Sequence, residues 1–217
     1  MTKALIFDLV NCLAAANEIG EDLYKPAFEA IRCANRGRLS SEALERAFAE
    51  MWRHPFDWVA ARYNFSELML AAGWLVFVGM EVSHPMHGYG DLDILAELPA
   101  QRFLVTSGFR RLQESKIRAL KLAPLLTAIY VDAIDEPDHP GKQALFERIL
   151  LERDLTPKET LIVGDNANCE IAAGNRLGIR TVQILRPDVQ RASSATFHIN
   201  SLTELKQLLN NRAIRLT

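Results

Sequence analysis

Asp8 follows a wholly apolar tetrapeptide, Ala4-Leu5-Ile6-Phe7. A carboxylate placed directly after a buried strand is costly unless something pairs with it. Comparable placements recur along the chain. The run 102–106 (RFLVT) ends on Thr106 and leads to Ser107-Gly108. The run 128–132 (AIYVD) ends on Asp132 and leads through an acidic loop to Lys142. The run 160–164 (TLIVG) leads to Asp165-Asn166, with Glu170 a turn further on. Two carboxylates from adjacent strands make a hard oxygen site suited to Mg²⁺, which keeps waters and takes a phosphate oxygen of a substrate. A hydroxyl, backbone amides at a helix start and a lysine neutralise the remaining phosphate oxygens. A carboxylate held in line can attack phosphorus and form an acyl phosphate.

These groups need a scaffold that brings several strand ends together. The apolar runs at 3–9, 102–106, 128–132, 160–164, 180–185 and 195–199 do not alternate with polar residues, as expected of strands buried on both faces of a parallel sheet. Helical periodicity lies between them. Phe109, Leu112, Ile117 and Leu120 share an arc in 109–120, and Leu145, Ile149 and Leu150 share one in 141–153. Thr156 to Glu159 reads as a capping box with a first-turn proline, and Ser201 with Glu204 opens a last helix near 202–210. The alternation predicts a doubly wound α/β sheet, Rossmann-like in its winding. Residues 15–84 break it. They read as helices at about 25–37, 41–53, 56–63 and 66–81, the last starting near Asn64 and Glu67. A block of that length is too long for a crossover, so the expected organisation is a core of 1–14 and 85–217 with an inserted helical cap at 15–84.

Composition narrows the partners. The 217 residues are 49% hydrophobic and 24% charged, with net charge −2 and no basic stripe, so nucleic acid is not expected. Cys12, Cys33 and Cys169 are far apart and odd in number, which suits reduced thiols in a cytoplasm rather than a disulfide framework. No signal peptide is legible at the start. The run 68–80 (LMLAAGWLVFVGM) is too short to span a bilayer and reads as a buried helix.

FDLVNCL, LVTSG, Lys142 with Phe146 four residues on, and IVGDNANCEIAAGNRLG together resemble the four motifs of the haloacid dehalogenase superfamily of hydrolases, in the branch with a helical cap between the first two. The resemblance implies a Mg²⁺-dependent hydrolase of a small phosphorylated metabolite. Asp8 would be the nucleophile. Thr106, Ser107 through its amide, and Lys142 would hold the phosphoryl group. Asp8, the Val10 carbonyl, Asp165 and Glu170 would form the metal site, with Asn166 near a metal-bound water. The cap would close over the substrate and select it.

The first motif departs from the family's Asp-x-Asp-Gly-Thr. Val10 replaces the second aspartate, which in family phosphatases protonates the leaving alcohol and then activates water. Asn11 replaces the glycine and Cys12 the threonine. Three readings follow: a hydrolase of reduced activity, a catalytically degenerate phosphate-binding or regulatory protein, or a hydrolase of the dehalogenase or phosphonate-cleaving kind. The phosphonate-cleaving members use a cap lysine as a Schiff base; Lys25 is the one lysine in 15–84, and next to Pro26 it reads as a solvated helix-start residue. Asp135, Glu136 and Asp138 read as a solvated acidic loop. His54, His84, His87 and His139 show no metal-ligand spacing and read as structural or surface groups. Trp52, Trp58 and Trp74 read as core, with one free to line the cleft, and Cys12 reads as a small apolar filler.

Overall fold

The computed structural model describes residues 2–211, so position 1 and positions 212–217 of the expected core lie outside the described residues. Six parallel strands form one sheet: β1 (Ala4–Phe7), β2 (Gln101–Gly108), β3 (Ala128–Ala133), β4 (Thr160–Gly164), β5 (Arg180–Ile184) and β6 (Phe197–Ile199). Their order is β3-β2-β1-β4-β5-β6. Each expected strand is present; 160–164 keeps its bounds and the other five have shifted ends. The sheet is buried on both faces, which is why the runs read as continuously apolar. Leu5, Phe7, Leu104, Leu161 and Val163 face one core, and Ala4, Ile6, Phe103, Val105 and Ile162 face the other.

The segment after β1 holds two short 3-10 turns, Ala16–Ile19 and Glu21–Tyr24, then α1 (Lys25–Asn35), α2 (Ser41–Glu50), α3 (Phe56–Arg62) and α4 (Glu67–Phe77). Four helices at these places were expected. The start of α4 was not: Ser66 is its cap, accepting the Met69 N–H at 3.3 Å, whereas Asn64 lies in the left-handed region at φ 54°. The α4 face is also more open than the sequence suggested, with Leu75 78% exposed and Leu68 54% exposed. An unbroken apolar run has no period to mark which side faces water. Among the described residues no helix is long and apolar enough to cross a membrane.

A short α5 (Ile94–Glu97) precedes β2. Then α6 (Arg110–Ala119), α7 (Gly141–Glu152), α8 (Ala172–Arg176) and α9 (Leu202–Asn210) complete the chain. Ser201 caps α9 through the Glu204 N–H at 3.2 Å. The Thr156–Glu159 capping box is present, but it closes only a 3-10 turn before β4. One aromatic cluster joins the helical segment to the core. Phe109, just before α6, stacks on Phe77 of α4 at 5.4 Å and meets Trp74 edge-on at 5.0 Å.

Candidate active site

β1 is flanked by β2 and β4, and the winding reverses between β1 and β4. Ligands bind at such a switch point, beyond the carboxyl ends of the strands. Phe7 is in register with Leu104 and Val163, and the Asp8 N–H donates to the Val163 carbonyl at 2.9 Å. Asp8 is thereby level with the end of β4, and Asp165 follows that end directly.

Lys142, in the first turn of α7, donates to Asp8 Oδ1 at 2.7 Å and to Glu170 Oε2 at 3.1 Å, with both partners buried. Asp8, Asp165 and Glu170 each offer a carboxylate oxygen within 4.8 Å of the others. Glu170 reaches this point because 167–171 is a π turn rather than α-helix, a deviation common at functional sites. Its Oε1 accepts the Asn166 N–H at 2.6 Å. Gly164 makes room for it: a Cβ there would lie 2.2 Å from Glu170 Cγ.

Three acids against one lysine leave the cluster short of positive charge. Burial pushes the Asp8 carboxyl up to about 6, with Lys142 opposing and Glu170 adding to the rise. Burial, then Glu170 and Asp8, push Asp165 up to about 8. For Lys142, burial disfavours the charge, but Asp8 and Glu170 outweigh it and hold the ammonium well above its usual range. A divalent cation would relieve this repulsion. The donor set, all hard oxygen, fits Mg²⁺. The hydrogen bonds that close the 9–14 turn go to the Leu9 and Ala14 carbonyls and not to that of Val10.

The stability of the metal-free protein follows from these shifts. Both carboxyls have folded values above their unfolded ones, so the folded state binds the extra protons. Stability therefore falls as pH rises from about 4 toward 8. In chelator, the urea midpoint at pH 5.5 is expected to exceed that at pH 8.5. A flat profile would show that the three acids do not repel as placed.

The remaining expected groups divide. Thr106 is buried and lines the same cleft, where its hydroxyl donates to Gln113 Oε1 at 3.2 Å. The Ser107 hydroxyl donates to Asp132 Oδ2 at 2.9 Å, and Asp132 Oδ1 accepts the Gly141 N–H at 2.9 Å. Asp132 is thus a brace between β2 and the start of α7, placing Lys142, and leaves only the Ser107 amide for a ligand. Asn166 Oδ1 accepts the Asn168 N–H at 3.0 Å. Asn11 occupies the left-handed region at φ 56°, which asparagine tolerates and which accounts for a residue other than glycine there.

Lys25 is 68% exposed and pairs with Asp22, as expected of a solvated helix-start residue, and it is absent from the cleft that holds Asp8, so it offers no Schiff base there. One expectation is corrected. Asp135 accepts the Arg110 N–H at 2.9 Å and Glu136 pairs with the Arg110 guanidinium, so this acidic loop anchors α6 rather than standing free in solvent. His54 lines the cleft, stacked on Trp58 at 4.1 Å, beside Trp52.

The cleft has a volume of about 860 Å³, part of it open to solvent. The helical segment supplies Met51, Trp52, His54, Phe56 and Phe77 to it, opposite the polar strand ends. Two buried polar groups in its wall, Gln113 and Lys116, escaped the sequence reading. The available signal was Lys116 four residues after Leu112, on the apolar stripe of α6.

Comparison with known proteins agrees with this geometry. Over 129 residues the chain is 29% identical to a Bacillus subtilis protein named as a HAD-hydrolase, YfnB; the match covers 56% of this chain and about half, 53%, of that protein. A crystal structure of YfnB bound to magnesium superposes with TM-score 0.64 at 20% identity, over 97% of this chain and 99% of that one. A HAD phosphatase from Thermococcus onnurineus gives TM-score 0.61 at 19% identity, covering 96% and 98% of the two chains. L-2-haloacid dehalogenase from Xanthobacter autotrophicus gives 0.61 at 17%, covering 97% and 99%. Residues 2–178 match the haloacid dehalogenase-like hydrolase family across β1, the helical segment and all four motifs, and the chain belongs to that family.

Proposed function

We propose that the protein is a Mg²⁺-dependent hydrolase of small phosphorylated metabolites that works through an aspartyl phosphate on Asp8, with turnover limited by Val10. The observation that carries this reading is the cluster of Asp8, Asp165 and Glu170 around Lys142 at the mouth of an apolar cleft. Metal sites of this composition suit phosphoryl transfer, whereas attack on carbon has no need of them.

Asp8 attacks phosphorus from the end of β1. Thr106, after its hydroxyl turns from Gln113, the Ser107 amide and the Lys142 ammonium hold the phosphoryl oxygens. Asp8, the Val10 carbonyl, Asp165 and Glu170 would hold Mg²⁺. When bound, the ion neutralises the carboxylates and the phosphoryl charge that they would otherwise repel. Residues 15–84 act as the cap. Trp52, Phe56 and Phe77 keep water from the acyl phosphate and contact the body of the substrate. The unpaired cysteines Cys12, Cys33 and Cys169 suit a cytoplasmic setting.

Phosphate release from 4-nitrophenyl phosphate tests the reading. Turnover with Mg²⁺ is expected to fall at least about 100-fold in chelator. Halide release from 2-chloropropionate, indifferent to chelator, would overturn it in favour of attack on carbon. Mg²⁺ binding with no turnover of any ester would overturn it in favour of a binding protein.

A further inference from the structure

Lys116 is a buried ionisable group that this mechanism leaves unused. It is 4% exposed, and among the described residues no hydrogen bond or ion pair engages its ammonium. It lines the cleft with Asp8 and Val10, and also a narrow crevice shared with Leu9, Val10, Ala14, Ile19 and Met86. Burial lowers its proton affinity, with Asp8 the one charge opposing the drop. The crevice that it shares with Val10 places Lys116 on the Val10 side of Asp8.

An ammonium on a nearly buried side chain with no protein partner is costly, and one that lines a cleft is open to a ligand there. The proposed phosphoryl site has its own cation in Lys142, on the Glu170 side. What lacks a charge partner is the side on which Val10, an apolar residue, lines the cleft. Resting on the phosphohydrolase reading above, we infer that Lys116 receives the leaving oxygen of the substrate, stabilising by fixed charge the alkoxide that Val10 cannot protonate.

The step balances with water as the co-reactant. Asp8 forms a bond to phosphorus as the bond from phosphorus to the ester oxygen breaks, and that oxygen keeps the electron pair. The alkoxide, held against the ammonium, takes a proton from a water molecule. The resulting hydroxide attacks phosphorus of the acyl phosphate, releasing inorganic phosphate and the Asp8 carboxylate. Lys116 stays charged throughout.

The test is a leaving-group series of aryl phosphates, from 2,4-dinitrophenyl through 4-nitrophenyl to phenyl, with Mg²⁺, on wild type and Lys116→Met. Methionine keeps the bulk and removes an unpaired buried charge, so the thermal midpoint should hold or rise. The expected loss in kcat/KM grows along the series, from about threefold for the dinitrophenyl ester to about 100-fold for the phenyl ester. Parallel losses across the series, or none, would overturn the role of Lys116 while leaving the hydrolase reading intact. Silence of the wild type toward every ester would overturn both. If Lys116→Met does not fold, Lys116→Arg takes its place. Retention of the wild-type slope by this variant supports the inference, and a steepened slope overturns it.

Discussion

Asp8→Asn is expected to lower kcat for aryl phosphate hydrolysis by at least about 10⁴-fold, the scale at which removal of a nucleophile leaves only binding and electrostatics. The side chain is nearly isosteric, and the backbone hydrogen bond to Val163 that fixes the residue is untouched. An amide cannot form the acyl phosphate. Folding should survive. Lys142 keeps Glu170 as its partner, and one of three mutually repelling carboxylates is removed. At pH 8 the metal-free variant should unfold at a urea concentration equal to or above that of wild type, because the charge lost is one that burial disfavours. Phosphate release measured beside a urea titration separates the two effects. Turnover within tenfold of wild type would place the nucleophile elsewhere. A collapsed fold would mean that the Asp8–Lys142 pair stabilises the structure more than the crowding of acids opposes it.

How far this was legible depends on how local each determinant is. The strands were legible because burial on both faces writes a continuous apolar run into the sequence. Asp8 and Asp165 were legible because a carboxylate at the end of such a run has few structural excuses. Glu170 was visible as an acid, but its meeting with Lys142 depends on a π turn and on the missing Cβ of Gly164, neither of which has a periodicity to read. Asp132, like Asp8, stands at the end of an apolar run. Only the pairing of β2 with β3 shows that it faces Ser107 and Gly141 instead. Lys116 was hidden by its company: on a helix face with Leu112 and Ile117 it passes as one polar interruption, and that it lines the cleft shows only in the structure. The cleft wall from 51–56 was least legible, since the chain there is a turn between helices whose direction is set by packing against Tyr24 and Phe109.

Val10→Asp is the converse change and should raise activity. An acid–base group is typically worth about 10²–10⁴-fold. The gain should approach that range for alkyl phosphates, whose oxygen leaves poorly, and shrink to a fewfold for 2,4-dinitrophenyl phosphate. The loop can accept the substitution. Its path is set by the left-handed Asn11 and by hydrogen bonds from Leu13 and Ala14 to the Leu9 carbonyl, none of which involves the side chain at position 10. The new carboxyl would join Asp8 in a crowded site, but it would also stand on the side where Lys116 lacks a partner, so its cost in stability should be small. If Lys116 now serves the leaving oxygen by charge alone, the two groups must be non-additive: Lys116→Met should cost far less with phenyl phosphate in the Val10→Asp background than in wild type. Equal costs in both backgrounds would mean that position 10 and Lys116 act on different atoms of the substrate. A Val10→Asp protein no faster than wild type toward alkyl phosphates would mean that side chain 10 does not face the leaving oxygen.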